Sequence, residues 1–192
     1  MTSLRPFHAL DVFKFNPTNL DPLTETYDLN FYFSYLARWP HLFNVALSPT
    51  GTIDAYLMGK LESSPPLLAL TKSPHYLPHH AHITALTVSP SSRRLGLART
   101  LSQSLEHAGD AYNAFFVDLF VRQSNTIAQT LYKGMGYSVF RKVVEYYSEH
   151  LTDKSRDSED AYDMRKSLAR DVKREHVREN GEKYEVNPED VW

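Results

Sequence analysis

The segment with the clearest chemical signature is SPSSRRLGLARTLSQSLEH (residues 89–107), which follows a β-branched run. A strand that passes through a glycine-containing turn into a helix presents backbone N–H groups and the positive end of the helix dipole at one place. Gly96 lets the backbone approach a phosphate, and Arg93 and Arg94 add positive charge. The segment predicts an anion site, although one glycine in such a turn also has a purely structural interpretation. It fits neither a P-loop nor the three-glycine dinucleotide motif.

Histidines and the absence of cysteine limit the metal and redox chemistry. Four histidines fall within residues 75–82: His75, His79, His80 and His82. Most of this run lies in a predicted loop and no helix-spaced second set of ligands accompanies it, so we predict no metal site. His82 falls on a predicted strand, where a lone histidine has a structural as well as a chemical interpretation. With no cysteine, disulfides, thiolate metal sites and a cysteine nucleophile are excluded.

These residues need a scaffold, and hydrophobic periodicity predicts one of strands and helices. The predicted elements are a strand at 3–7, helices at 8–15 and 30–38, a hairpin at 43–63, a strand at 81–88, a helix carrying Leu97, Leu101 and Leu105, a buried strand at 114–121, a helix at 125–135 and a long strand at 137–147. Residues 63–80 and 148–160 are predicted loops, and residues 161–167 fit a strand or a helix. The order predicts a mixed α/β domain with helices that cover a sheet.

Charge and hydropathy exclude several classes of protein. The 192 residues carry a net charge of −2 and 42% hydrophobic residues, which excludes a strongly basic nucleic-acid binder and a wholly disordered chain. Residues 149–192 hold 13 acidic and 9 basic residues, so a charged stretch follows a more apolar body. Neither a secretory signal nor an apolar run of the roughly 20 residues that span a bilayer is evident. These features fit a cytosolic or a nuclear protein, of which we expect the cytoplasmic location, and we expect it to bind neither membranes nor nucleic acid directly.

The loop sequence Arg93-Arg94-Leu95-Gly96-Leu97-Ala98 resembles the R/Q-x-x-G-x-G/A motif of the GCN5-related N-acetyltransferase (GNAT) family. The resemblance implies the GNAT fold, which is a mixed, mostly antiparallel sheet flanked by helices. It also implies that acetyl-CoA is the co-substrate and that these six residues bind its pyrophosphate. Ala98 stands at the last small position, which is a variant that the motif permits.

Longer segments resemble the catalytic subunits of the NatB N-terminal acetyltransferase complex. They are LDPLTETY (20–27), FYFSYLARWP (31–40), HITALTVSP (82–90), FFVDLFVRQSN (115–125), LYKGMGYSVFRKVVEYYS (131–148) and EDAYDMRK (159–166). The resemblance implies an acetyltransferase domain at residues 1–168, which the strand in EDAYDMRK closes, and a charged C-terminal tail at 169–192. It also implies that the α-amine of a protein N-terminus attacks the thioester of acetyl-CoA directly.

The same resemblance implies roles around the thioester. Tyr132 would hydrogen-bond or protonate the departing thiolate, and Asn125, at the start of the predicted helix, would contact CoA or water. The backbone N–H of Leu86 would hydrogen-bond the thioester carbonyl, and the backbone of Val88 would pair with the pantetheine arm. His82 would relay the proton of the amine through water or bind the second residue of the substrate.

Peptide binding is implied in the same way. The implied substrate-binding residues are Glu25, Tyr27, His82, Thr84, Ala85, Phe120, Tyr146 and Tyr147. Tyr27 would wall a pocket for the initiator methionine, and Glu25 would hold backbone or water near the amine. Tyr146 and Tyr147 end the predicted long strand, where consecutive side chains point to opposite faces, so one would face the substrate and we prefer Tyr147. The expected substrates begin Met-Asp, Met-Glu, Met-Asn or Met-Gln.

Partners are implied as well. A large helical-repeat auxiliary subunit of the NatB complex would form a heterodimer with the chain and attach it to ribosomes, where nascent N-termini emerge. The sequence leaves open which apolar residues of the first two helices are core and which are contact surface: Phe13, Phe15, Phe31, Phe33 and Leu36. Two alternatives also stay open, namely an acetyltransferase for other N-termini or lysines, and a non-catalytic CoA-binding or interaction subunit.

Overall fold

A computed structural model describes residues 2–22, 24–64, 76–147 and 158–191 of the chain. The chain divides into two compact units. The first unit comprises Met1–Leu61 and Ala81–Ala108, and the second comprises Glu62–His80 and Gly109–Trp192. Within the described ranges, no helix is long and apolar enough to cross a membrane.

The first unit arranges its strands in chain order. These strands are β1 (Ser3–Pro6), β2 (Phe43–Leu47), β3 (Ile53–Glu62) and β4 (His80–Val88). β1 pairs antiparallel with β2, and β2 pairs antiparallel with β3 through the predicted hairpin. Helices α1 (Asn16–Asn19) and α2 (Leu29–Arg38) precede the hairpin, and α3 (Leu97–Ala111) follows β4. The Asp28 carboxylate caps α2 by accepting a hydrogen bond from the N–H of Phe31 at 2.8 Å.

An aromatic cluster forms the core of the first unit. The ring of Phe15 meets the rings of Phe7, Tyr32 and Tyr56 at steep angles, with centroids 5.2 to 5.5 Å apart. Such contacts add to the free energy gained by burying the ring area. The hydroxyls of Tyr56 and Tyr32 both donate hydrogen bonds to Asn19 Oδ1, at 2.6 and 3.3 Å. Uncharged polar groups therefore satisfy one another at the edge of this core.

The structure divides the apolar residues that the sequence left unassigned. Phe15 belongs to the core with 1% of its surface exposed, and Phe31 and Leu36 are partly buried against the aromatic cluster. Phe13 and Phe33 are instead 75% and 39% exposed. Phe13 and Phe15, which are two residues apart, therefore have opposite environments: Phe13 is exposed and Phe15 is buried.

The first predicted helix differs from the structure. Residues 9–13 form a 3-10 helix instead of the opening of a helix over 8–15. The carboxylate of Asp11 accepts a hydrogen bond from the N–H of His8 at 2.8 Å and pairs with Arg5, which closes a tight turn. A separate short helix, α1, then begins at Asn16.

The second unit contains a mixed sheet. Its strands are β5 (Phe116–Arg122), β6 (Ser138–Val143), β7 (Ala161–Ser167) and β8 (Glu185–Val186), in the spatial order β5-β7-β6-β8. β7 pairs antiparallel with β5 and β6, whereas β8 pairs parallel with β6. Helix α4 (Thr126–Lys133) connects β5 to β6. Residues 161–167, for which the sequence fitted a strand or a helix, form β7.

The predicted long strand 137–147 is wrong in its second half. β6 ends at Val143, and residues 144–147 form a turn. Glu145 in this turn has a φ of 53°, and its N–H donates to the carboxylate of Asp160 at 2.9 Å. A left-handed residue cannot continue a strand, so the ladder stops there. The predicted loops at 63–80 and 148–160 lie largely outside the described residues.

The core of the second unit buries ionised groups. Asp163 is fully buried and accepts hydrogen bonds from Arg141 at 2.8 Å and from Arg165 at 2.8 and 3.0 Å. The guanidinium of Arg165 also lies over the rings of Phe116 and Phe140. These contacts are needed because removing an isolated carboxylate from water is costly.

The described residues after 168 join the second unit. The N–H of Ala169 donates to the carboxylate of Asp110 at 2.9 Å, and β8 pairs with β6. A Cβ added at Gly181 would lie 1.9 Å from the carbonyl oxygen of Val139, so glycine is required for this close approach. The boundary of an acetyltransferase domain at residue 168 stays a prediction.

Candidate active site

The loop after β4 has the backbone geometry of an anion site. β4 ends at Val88, a 3-10 turn spans Pro90–Ser92, and α3 begins at Leu97. Gly96 has a φ of +82°, which L side chains rarely adopt, and its carbonyl accepts a hydrogen bond from the N–H of Thr100 at 3.0 Å. Gly96 precedes the first residue of α3 and has no side chain that could accept a hydrogen bond. The first N–H groups of α3 therefore receive no capping hydrogen bond from it. These N–H groups and the helix dipole suit an anion.

The two arginines of the loop differ in their surroundings. Arg93 forms an ion pair with Asp21 and donates from Nε to the carbonyl of Val88 at 3.2 Å. Its charge is thus balanced within the protein, and the contact ties the loop to the segment before α2. Arg94 is exposed with a φ of 67°, and it makes no ion pair with the described residues. Arg94 is therefore the loop cation better placed to meet a bound anion.

The remaining residues of the loop motif separate by burial. Leu97 is buried and begins the apolar face of α3 that continues at Leu101 and Leu105, as the spacing predicts. Leu95 is 68% exposed, and Ala98 is half-buried. The side chain of Leu97 is thus a core residue, so a cofactor-binding role would fall to its backbone N–H.

Side chains along β4 point alternately to the two faces of the sheet, which divides the predicted site residues of this strand into two groups. Four of them share one face of the strand: His82, Thr84, Leu86 and Val88. The Thr84 hydroxyl forms a hydrogen bond with the Tyr35 hydroxyl at 2.8 Å. Ala85 lies on the opposite face and packs in the aromatic cluster of the first unit, so any contact of Ala85 with a peptide would fall to its backbone.

The loop between α1 and α2 is attached at two points within the first unit. The Thr24 hydroxyl forms a hydrogen bond with the Thr87 hydroxyl at 2.9 Å. The ring of Tyr27 stacks on Phe31 of α2 with centroids 4.2 Å apart. Glu25, which is half-buried, lies between these two attachments. The loop therefore has a fixed course at the residues predicted to bind a peptide.

In the second unit, Asn125 and Tyr132 lie at the two ends of α4. Asn125 is the N-cap, since its Oδ1 accepts a hydrogen bond from the N–H of Ala128 at 3.1 Å. Tyr132 is 6% exposed, and its hydroxyl makes no hydrogen bond to the described residues. Burial raises the pKa of Tyr132 above the ordinary phenol value, so the group stays protonated at neutral pH. It is therefore suited to donate a hydrogen bond or a proton.

Phe120, Tyr146 and Tyr147 come together in the second unit. The ring of Tyr146 stacks on Phe120 with centroids 4.6 Å apart, and the ring of Tyr147 meets Tyr146 at 5.1 Å. The Tyr147 hydroxyl donates to the carbonyl of Phe120 at 3.3 Å. Because both tyrosines lie in the turn after β6, the strand alternation used to choose between them does not apply. Tyr146 contacts the ring of Phe120, and Tyr147 contacts its backbone carbonyl.

Arg122 and Glu159, to which the sequence assigned no role, hold Tyr147 in place. The guanidinium of Arg122 lies 3.9 Å from the Tyr147 ring centroid and pairs with Glu159 at 3.1 Å. Burial acts to raise the pKa of Glu159, but hydrogen bonds from Ser124 and Arg122 outweigh it and lower the pKa. Both residues stand in segments that carried the family resemblance, yet 37 residues separate them and no local pattern marks them as a pair.

The histidine run supplies a buried ionic contact. Among the described residues, no group of three or more candidate ligands could hold a metal ion, and His75 lies outside them. His80 Nε2 lies 3.4 Å from Glu62 and 3.7 Å from Asp118, and its ring stacks on Phe116. Burial acts to lower the pKa of His80, but the carboxylates of Asp118 and Glu62 outweigh it and raise the pKa.

Known proteins match the chain in sequence and in structure. The profile of the Acetyltransferase (GNAT) family matches residues 12–137. The chain is 51% identical to the N-terminal acetyltransferase B complex catalytic subunit naa20 of Schizosaccharomyces pombe, over 100% of this chain and 99% of that protein. The crystal structure of Chaetomium thermophilum Naa20 in complex with a bisubstrate analogue shares 58% identity and a TM-score of 0.92 over 99% of both chains. The NatB acetyltransferase complex bound to CoA and MES shares 43% identity and a TM-score of 0.71, over 86% of this chain and 99% of that chain.

Proposed function

Because the chain belongs to the acetyltransferase (GNAT) family, we propose that it transfers the acetyl group of acetyl-CoA to the α-amine of protein N-termini. The GNAT fold and the resemblance to NatB catalytic subunits, both predicted from the sequence, are confirmed. The observation that carries the proposal is the full-length similarity to such subunits. We propose further that the substrates begin Met-Asp, Met-Glu, Met-Asn or Met-Gln.

The proposed reaction is a direct transfer. The nitrogen of the α-amine attacks the carbonyl carbon of the thioester, so that a C–N bond forms and the C–S bond breaks. The amine loses one proton, and CoA leaves as a thiolate that takes up a proton. An α-amine has an ordinary pKa of about 7.7–8.0, so part of it is neutral at physiological pH. The protein therefore needs chiefly to position the two reactants, and a chain without cysteine is compatible with this route.

Groups of each unit suit separate parts of this reaction. The N–H groups at the start of α3, together with Arg94, would bind the pyrophosphate of acetyl-CoA. The backbone N–H of Leu86 would stabilise the developing negative charge on the thioester oxygen, and the backbone of Val88 would pair with the pantetheine arm. Tyr132, whose phenol burial keeps protonated, would donate to the departing thiolate.

Recognition of the second substrate residue is proposed for one face of β4. His82 and Thr84 lie on that face, and Thr84 is held by Tyr35. Polar groups of this kind favour a substrate side chain that can hydrogen-bond to them over an apolar one. Tyr27 and Glu25 of the loop before α2 are proposed to contact the initiator methionine and the amine.

We also propose that an auxiliary subunit covers an apolar surface of the first unit. Between residues 10 and 33, five large apolar side chains are 39 to 75% exposed: Leu10, Phe13, Leu20, Leu29 and Phe33. Single exposed apolar residues are ordinary, but five within one stretch of sequence favour an interaction surface. The likeness to a chain of the NatB complex supports a protein partner. Attachment to ribosomes through this partner and a cytoplasmic location belong to the same proposal.

A peptide panel tests this function. Acetyl transfer is measured with peptides that begin Met-Asp or Ser-Glu and with a peptide blocked at its N-terminus that contains lysine, with and without the auxiliary subunit. We expect turnover of the Met-Asp peptide. Faster turnover of the Ser-Glu or lysine peptide would favour the first alternative, and no turnover even in the complex would favour the non-catalytic alternative.

A His82→Ala variant tests the assignment of the β4 face. We expect KM for the Met-Asp peptide to rise while KM for acetyl-CoA stays unchanged. His107→Ala, which changes an exposed histidine of α3, is the matched control. Equal changes in both KM values, or none, would contradict the assigned role.

A further inference from the structure

The second unit contains a cavity that the proposed reaction does not use. Its volume is about 600 Å³, within the usual range for small-molecule sites. It is lined by β6, β7, the segment around residues 176–186 and residues 76–78, none of which belongs to the 93–98 loop. Five of its lining residues are basic or imidazole side chains: Arg141, Arg165, His176, Arg178 and Lys183.

The charges at this cavity do not balance. Arg141 and Arg165 share the single buried carboxylate of Asp163. Glu185, which also lines the cavity, pairs at 2.6 Å with Lys142, which pairs with Asp160 as well at 3.3 Å. Arg141 and Arg165 together therefore carry one more positive charge than the carboxylate of Asp163 neutralises.

Arg178 and Lys183 add two further cations. Within the described part of the chain, neither makes an ion pair with a carboxylate. Guanidinium groups stay charged in proteins, so the cavity carries an excess of at least two positive charges at neutral pH. Such an excess in a concave site attracts and concentrates anions.

Arg178 is held in a defined orientation. Its guanidinium lies 3.9 Å from the Phe140 ring centroid and 4.4 Å from that of Tyr184. Cation–π contacts engage the flat faces of a guanidinium and leave the N–H groups at its edge to hydrogen-bond. Burial lowers the pKa of Arg178, and the nearby charges of Arg165 and Arg141 act in the same direction. A bound anion would relieve both effects.

The number of donors indicates which anion fits. A carboxylate has two oxygens, whereas a phosphate has three or four and suits convergent Arg and Lys donors. Arg141 makes only long contacts, 3.3 and 3.4 Å, from its terminal nitrogens to the carbonyls of Asp190 and Val191. Burial lowers the pKa of His176, so its ring is a neutral hydrogen-bonding group at neutral pH.

We propose that this cavity binds a phosphate-bearing small molecule, with Arg178 and Lys183 as the principal contacts and with the rings of Phe140 and Tyr184 holding the Arg178 guanidinium in place. The donors converge from β6, β7 and the C-terminal segment, so an occupied site would tie that segment to the sheet of the second unit. The ligand is neither the acetyl donor nor the peptide of the proposed reaction.

Calorimetric titration with inorganic pyrophosphate at low salt tests the site on the full chain saturated with acetyl-CoA. We expect binding by the wild type and a loss of about tenfold or more in affinity for Arg178→Gln and for Lys183→Gln. Arg174→Gln removes the same charge from an exposed position of the same segment, outside the cavity, and should bind like the wild type. Because the variants assign the heat to the cavity, the result does not depend on the proposed acetyl transfer.

Three results would overturn the proposal. One is no pyrophosphate binding by the wild type, and another is an equal loss for Arg174→Gln and Lys183→Gln. The third is binding of a glutamate-rich peptide in place of pyrophosphate, which would identify a protein-docking surface instead. If Arg178→Gln lowers the melting temperature by removing its ring contacts, Lys183→Gln decides the test, since Lys183 is exposed.

Discussion

The two units of the molecule differ in the polar groups that lie at the aromatic cluster of the first and around Asp163 in the second. In the first unit, hydroxyls of Tyr32 and Tyr56 converge on the uncharged amide of Asn19 beside the aromatic cluster. In the second unit, the carboxylate of Asp163 is buried with two guanidinium groups. The first arrangement avoids the desolvation of charge, whereas the second depends on complete pairing.

The first unit therefore offers hydroxyl groups to a ligand, whereas the second unit offers positive charge. The first unit uses hydroxyls around β4, such as Thr84 and Tyr35, to shape the proposed peptide-binding face. The second unit holds its cations in fixed positions through Asp163, which leaves positive charge at its cavity.

The largest effect is expected from breaking the buried ionic cluster. Asp163→Asn would leave Arg141 and Arg165 without a charged partner and lower the free energy of unfolding by about 3–5 kcal/mol. Glu185→Gln removes an exposed carboxylate from Lys142, which keeps its ion pair with Asp160, and should cost less than about 1 kcal/mol. Urea unfolding measures both, and similar losses would contradict a special dependence of the second core on charge.

A smaller effect is expected from the uncharged core of the first unit. Tyr56→Phe removes one buried hydrogen bond to Asn19 and should lower the free energy of unfolding by about 1 kcal/mol, since Tyr32 still donates to the same oxygen. Tyr184→Phe, at a 53% exposed position, is the control and should change it by less than about 0.5 kcal/mol. A loss for Tyr56→Phe as large as that for Asp163→Asn would remove the contrast between the cores.

The buried histidine of the second unit makes stability depend on pH. The pKa of His80 is raised in the folded state, so its contribution is complete below its unfolded pKa of about 6.5 and is lost as the pH rises through the folded pKa. The stability advantage of the wild type over His80→Gln should therefore shrink as the pH rises from about 5 to about 9. Unfolding at a series of pH values checks this, with exposed His107→Gln as the control. An advantage that grows with pH would mean that His80 is neutral in the fold.

The smallest effect on stability is expected at the loop before α3. Arg94→Gln should raise KM for acetyl-CoA about tenfold with no change in melting temperature, because Arg94 has no ion pair in the described residues. Arg93→Gln should lower the melting temperature as well, because Arg93 pairs with Asp21. A larger rise in KM for acetyl-CoA with Arg93→Gln than with Arg94→Gln would show that Arg93 is the principal contact of the cofactor.

Local patterns predicted the elements that position the site. The four-residue spacing of Leu97, Leu101 and Leu105 marks the buried face of α3, and the three are 8%, 0% and 2% exposed. Asn125 caps α4, which begins at Thr126, and asparagine is among the residue types that favour the cap position. These outcomes follow from helix geometry and capping, which depend on neighbours in sequence.

Contacts between distant residues could not be predicted in the same way. Arg93 and Asp21 are separated by 72 residues, and no local pattern indicates that one neutralises the other. The end of β6 depends on Glu145, which adopts a left-handed conformation beside Asp160, although the sequence continues the apolar pattern through residue 147. The opposite burial of Phe13 and Phe15 is decided by a 3-10 turn that Asp11 closes. Tertiary contacts decide all three.

The proposed function of the chain is acetylation of the α-amine of N-termini such as Met-Asp. One peptide that begins Met-Asp, with both a free N-terminus and an internal lysine, tests it directly when it is incubated with acetyl-CoA and the purified chain in its complex. Fragmentation of the product by mass spectrometry locates the acetyl group. The predicted result is one acetyl group on the α-amine and none on lysine, and acetylation of lysine alone would contradict the account.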